Sequence, residues 1–102
     1  PEDVQRSLLE LTARTVALAC RGAQEIYLCG GGTKNTALLD RIAELACPAH
    51  VATTAELGID PMHVEALAFA WLARAFIEGR PGNLCEATHA RGLRVLGALY
   101  PH

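Results

Sequence analysis

The sequence predicts a small α/β unit, three helices with a few short strands, and three observations carry that prediction. The opening segment repeats its apolar residues at helical spacing. A β-branched and aromatic run then stops on three consecutive glycines and gives way to a second helical pattern. A third helical stretch is introduced by Asp60-Pro61, a strong start signal because Asp caps and Pro suits the first helical position. With 102 residues, of which 51% are hydrophobic, the chain suffices for one domain, taken as residues 1–102, and leaves no room for a second of ordinary size.

In the first segment Val4, Leu8, Leu11, Thr15 and Leu18 form one stripe, with Arg6, Glu10, Arg14 and Arg21 elsewhere, which predicts an amphipathic helix with its leucines toward a core. Glu2 and Asp3 suit the positive helix start, Arg21 the negative end, and Gly22 stands where a left-handed cap belongs. Glu25 to Cys29 reads as a buried strand. Leu38, Leu39, Ile42, Leu45 and Ala46 then recur at helical spacing until Cys47-Pro48 ends the pattern. His50 to Thr53 is a second, weaker strand. The stretch from Met62 to about Glu78 is apolar on nearly every side, interrupted only by Glu65 and Arg74. Gly79 to Gly82 close it, a polar loop runs to Gly92, and Val95 to Tyr100 reads as a terminal strand. A helix apolar all round must be covered all round, and two other helices and three short strands are too little cover, so another subunit or a further part of a larger α/β protein is implied.

Composition excludes several classes. Nine Lys and Arg against eleven Asp and Glu, a net charge of −2, leave no basic excess for a phosphate backbone, so nucleic acid is not the expected partner. The longest apolar stretch, Ala66 to Ala73, falls far short of the roughly 20 residues needed to cross a bilayer. There is no basic segment followed by an apolar run at the start, and the expectation is a cytoplasmic protein. The chain opens on Pro1 rather than a methionine, which points to processing or to a piece of a longer protein. Cys20, Cys29, Cys47 and Cys85 are scattered and read as free buried thiols. His50, His63, His89 and His102 lack the close pairing of metal ligands, so no metal site is expected.

The glycine triplet Gly30-Gly31-Gly32 is the main candidate site. Between a strand and a helix, backbone without side chains can approach a phosphate closely and a helix start offers unpaired N–H groups. The P-loop spelling fails, because Lys34 follows Gly32 with one residue between. The dinucleotide spelling is a near miss, with Asn35 in place of the third glycine and Thr53 and Thr54 where an acid is required. A phosphate cradle and a tight packing turn both fit. Glu65, a lone carboxylate near the start of the most apolar helix, is either a solvated acid matched to the helix dipole, the commoner case, or a group aimed into a cleft. Phe69, Trp71 and Phe76 are attributed to the core, and His89 to an exposed loop.

Taken in order, Cys29-Gly30-Gly31-Gly32 with Asn35, then Ala52-Thr53-Thr54-Ala55-Glu56-Leu57-Gly58-Ile59, then Val64-Glu65-Ala66-Leu67-Ala68-Phe69-Ala70-Trp71-Leu72-Ala73, form a pattern that resembles the C-terminal part of anhydro-N-acetylmuramic acid kinases. Gly79-Arg80-Pro81-Gly82-Asn83-Leu84 and the tail from Val95 to Pro101 look similar to that family as well. The resemblance covers the chain from about Gln24 onward. It implies part of the C-terminal lobe of an actin-like ATPase (ribonuclease H-like) fold, with ATP and sugar between two lobes. It further implies a kinase that uses ATP and Mg²⁺ to phosphorylate 1,6-anhydro-N-acetylmuramic acid at O6 while water opens the anhydro ring, in peptidoglycan recycling. By the same resemblance Gly30, Gly31, Gly32 and Asn35 would bind nucleotide and Glu65 would face the sugar. No catalytic residue falls in this chain, since the family's catalytic aspartate and first phosphate loop precede it, as do the main holders of Mg²⁺; the chain alone would be inactive without the missing N-terminal lobe. Cys85 stands where the family usually has proline and His89 where a small residue, often glycine, is usual. A stand-alone α/β binding module forming a homodimer is the alternative, and a homo-oligomer is expected on either reading.

Overall fold

The computed structural model describes residues 1–101 as two compact units, Pro1–Val64 and a second beginning at Glu65; His102 lies outside the described residues. The first unit is a βαβ arrangement with an added helix. Helix α1 (Glu2–Ala19) leads through a turn into strand β1 (Glu25–Leu28), a 3-10 turn (Gly31–Lys34), helix α2 (Thr36–Ala46), strand β2 (His50–Thr53) and a second 3-10 turn (Thr54–Leu57). The strands pair in parallel, Ile26 opposite Val51 and Leu28 opposite Thr53. Ile26 and Ile42 are buried with Ala13, so the core of this unit lies where α2 crosses between the strands and α1 packs on α2.

Each boundary has a local cause. Asn35 Oδ1 accepts from the Leu38 amide at 3.1 Å and starts α2; Cys47-Pro48, a cis peptide, follows its end. Gly22, just past the α1 C-cap Cys20, takes φ +88°, the left-handed geometry foreseen for it. Glu10 ties α1 to α2. Its carboxylate accepts from Arg14 Nε at 2.6 Å and, in fork fashion, from Arg41 Nε and Nη2 at 2.7 and 2.8 Å, while Arg41 Nη1 donates to Glu44 at 2.7 Å. The Arg41 guanidinium, then that of Arg14, hold the Glu10 carboxyl down to about 2.

The face of α1 is a correction. The predicted stripe is outward: Leu8 is 57% and Leu11 63% exposed, whereas Ala13 is fully buried. The inward side runs through Leu9, Ala13 and Val16, nearly opposite the leucines at 100° per residue. A small residue at Ala13 permits close approach to α2, and the Glu10–Arg41 pair fixes the flank. The hydroxyls of Thr12 and Thr15 are satisfied within the helix by the Leu8 and Leu11 carbonyls, each at 2.8 Å.

The second unit holds most of helix α3 (Val64–Ile77) and a short helix α4 (Cys85–Thr88) inside the loop foreseen as irregular. Helix α3 ends in a Schellman arrangement, Arg80 amide to Ala75 carbonyl at 2.8 Å and Gly79 amide to Phe76 carbonyl at 3.0 Å, which glycine at φ +66° allows. Within this unit Ala75 is buried and Phe76 half-buried, while Phe69 (64%), Trp71 (49%) and Ile77 (83%) are open; of the three aromatic residues assigned to the core, only Phe76 is partly covered here. The terminal strand over Val95 to Tyr100 does not form. Gly97 takes φ +125° where a Cβ would stand 3.1 Å from the Phe76 ring, and the tail is held by the 82–83 loop, through Gly82 amide to Arg94 carbonyl at 2.9 Å and Arg94 amide to Asn83 Oδ1 at 2.6 Å. The cysteines are free, as foreseen, but not buried: Cys29 and Cys47 are exposed, Cys20 and Cys85 half-buried. No helix among the described residues is long and apolar enough to cross a membrane.

Candidate functional site

Parallel strands present ligand sites outside their carboxyl ends, where the connecting loops converge. In the first unit those ends are Leu28 and Thr53, and the segments leaving them are the glycine turn and the Thr54–Pro61 connection. The two segments touch: the Gly30 amide donates to the Pro61 carbonyl at 2.8 Å. A groove of about 760 Å³ lined by Gln24, Leu45, Cys47 and Ala49 lies at the opposite, amino ends of the strands, and a larger one of about 1010 Å³ runs along α1 and α2 beside Glu10 and Arg41; strand topology, not volume, singles out the glycine turn.

Gly30 adopts φ 83°, ψ −175°, a region open essentially to glycine alone. Its carbonyl accepts from the Thr33 amide at 3.1 Å and the Thr33 hydroxyl at 2.7 Å, which winds the chain into the 3-10 turn. Gly31 and Gly32 differ from it. Neither has a positive φ; a Cβ on Gly31 would meet nothing within 4 Å and one on Gly32 only the Leu38 side chain at 3.9 Å. Their amides make no hydrogen bond among the described residues. The fold of this unit therefore needs glycine at 30 and has room for a side chain at 31 and 32. Glycine there suits a ligand that must come close to the backbone.

Asn35 is exposed, and its side-chain oxygen is engaged in capping α2; its amide nitrogen makes no hydrogen bond among the described residues. Thr54, directly after β2, carries an enclosed hydroxyl oxygen with no hydrogen-bond partner. His50, at the far end of β2, bonds Glu56 at 2.8 Å, and that bond raises its pKa. Gly30, Gly31, Gly32 and Asn35 thus lie together in the first unit. Glu65 belongs to the second, exposed in the first turn of α3. No group of three or more His, Cys, Asp or Glu among the described residues is placed to hold a metal ion. The sequence predicts Asp60 as the N-cap and Pro61 as the first residue of the third helix, but α3 begins at Val64; both lie in the turn before it, where Asp60 accepts from the Met62 amide and Pro61, unforeseen, holds Gly30. No sequence signal announces a hydrogen bond between backbone groups so far apart in the chain.

Comparison with known proteins follows the same lines. A family model described as anhydro-N-acetylmuramic acid kinase matches residues 1–102. Among curated relatives, anhydro-N-acetylmuramic acid kinase of Thiobacillus denitrificans is 56% identical over 105 residues, covering 99% of this chain and 28% of that protein. The same-named protein of Pseudomonas savastanoi pv. phaseolicola is 51% identical, with 99% and 29% covered, and that of Burkholderia orbicola 51% identical, with 99% and 28% covered. The chain spans between a quarter and a third of the length of these relatives.

Proposed function

Because the chain belongs to the anhydro-N-acetylmuramic acid kinase family, we propose that it is the ATP-binding, carboxyl-terminal portion of such a kinase, part of one lobe of an actin-like fold. The observation that carries the reading is the pair Gly31 and Gly32, glycines that the local fold does not require, at the carboxyl end of a parallel strand. Their unencumbered amides would lie against the nucleotide, with Asn35 beside them, and Glu65 would hydrogen-bond the sugar hydroxyls or the attacking water. Mg²⁺, held mainly by the preceding part of the enzyme, would neutralise phosphate charge. In the proposed reaction of the whole enzyme, ATP phosphorylates O6 of 1,6-anhydro-N-acetylmuramic acid while water adds at C1 and the C1–O6 bond breaks, a step of cytoplasmic cell-wall recycling. The apolar surface of α3 would be covered by the preceding lobe of the same polypeptide. Whether the enzyme is a homo-oligomer, as proposed, is read from the molar mass of the full-length protein.

Gly31→Val in the full-length enzyme tests the reading by titration calorimetry. A Cβ branch at the point of closest approach lowers ATP affinity at least tenfold, about 1.4 kcal/mol, while the melting temperature holds. Unchanged ATP affinity would reduce the triplet to a packing turn.

A further inference from the structure

We propose that Asp60 is a positioning residue for the glycine turn, acting through the single peptide group between Pro61 and Met62. The inference rests on the ATP-binding reading of that turn. Two hydrogen bonds meet on this one rigid plane. On one edge Asp60 Oδ1 accepts from the Met62 amide at 2.8 Å; on the other the Pro61 carbonyl accepts from the Gly30 amide at 2.8 Å. The proline ring fixes φ, so rotation about the next bond is the remaining freedom of the plane, and the Asp60 carboxylate removes it. A charged acceptor on the N–H edge also polarises the peptide and strengthens its carbonyl as an acceptor. The recipient is Gly30, whose φ of 83° sets the direction in which Gly31 and Gly32 leave the strand.

An Asp that closes a turn onto the amide two residues on is ordinarily a local stability device, and that role alone would leave nucleotide binding untouched at temperatures where the protein is folded. The positioning role makes a different demand. In the full-length kinase, Asp60→Ala should raise the KM for ATP about three- to tenfold, the span of roughly one decade in affinity. The sugar KM, and kcat at saturating ATP, should stay within about twofold of wild type, because uniform binding of nucleotide is what is lost. Asp60→Asn keeps the Oδ1 acceptor and should restore most of the ATP KM. Hydrogen exchange of the segment 29–34 reads the same link without nucleotide: faster in Asp60→Ala, near wild type in Asp60→Asn. A lowered melting temperature with unchanged ATP KM and unchanged exchange would overturn the proposal, as would failure of Asp60→Asn to rescue. If Gly31→Val leaves ATP binding intact, the ATP reading itself falls; if Gly31→Val weakens ATP binding and Asp60→Ala does not, only the role of Asp60 falls.

Discussion

Adjacent glycines in the turn should respond oppositely to the smallest possible side chain. Gly30→Ala places a Cβ where no atom lies within 4 Å, so its cost is conformational and not a clash. Holding a non-glycine residue at φ 83°, ψ −175° costs about 1–3 kcal/mol. Gly31→Ala enters open space at an ordinary φ, and there the loss of unfolded-chain freedom should stabilise by about 0.4–1 kcal/mol. The two variants should therefore separate by about 1.5–4 kcal/mol in opposite directions. Urea denaturation of the full-length kinase and of both variants, followed at a signal from the domain that carries the turn, measures the difference. Equal shifts for the two variants would refute the assignment of the conformational demand to Gly30.

Three other outcomes are expected. The Glu10 carboxyl lies near 2 in the fold against 4.5 ordinarily; its contribution to stability is full above 4.5 and fades as pH falls toward 2, so Glu10→Gln should flatten the acid side of a stability–pH curve, and superimposable curves would sink the claim. His89 closes α4 at φ 54°, a left-handed strain of about 1–2 kcal/mol that glycine relieves at an entropic cost of about 0.5–1; His89→Gly should raise stability by up to about 1 kcal/mol in thermal melts, and a fall would contradict it. Glu65→Ala in the full enzyme should lower kcat/KM for the anhydro sugar by at least about tenfold, 1.4 kcal/mol of transition-state binding, with ATP affinity little changed. Normal turnover with a loss of about 0.3–1 kcal/mol of stability would make Glu65 only a dipole-matched surface acid.

What was legible in the sequence follows from how far each cause reaches. Strands β1 and β2 and helix α2 are legible nearly to the residue because a β-branched and aromatic run, the glycines that stop it and Cys47-Pro48 act locally. The left-handed Gly22 was legible for the same reason. The inward face of α1 was not: the leucine stripe is the stronger periodic signal, yet α2 meets Ala13, since small size and the Glu10–Arg41 pair decide that contact. The tail from Val95 to Tyr100 has strand composition, but a strand requires a ladder partner, and Gly97 with Phe76 and Asn83 with Arg94 hold it elsewhere. At the candidate site the triplet was visible and the division of labour within it was not, because it depends on a φ value and on an amide bond to Pro61. The resemblance places His89 where a small residue, often glycine, is expected, and the positive φ there is a conformation that glycine adopts without strain.

The charge network between α1 and α2 restricts how this corner can evolve. Glu10 serves Arg14 on its own helix and Arg41 on the other, and Arg41 serves Glu44 in turn. Exchanging only the central pair, Glu10→Arg with Arg41→Glu, keeps one attraction and creates two repulsions, arginine against Arg14 four residues on and glutamate against Glu44 three residues on, at spacings where like charges destabilise a helix. The alternating pattern survives inversion only when all four positions change together. Drift at any one of these sites is thus conditional on the other three, and substitutions here should be inherited as a block or arrive through neutral intermediates such as glutamine.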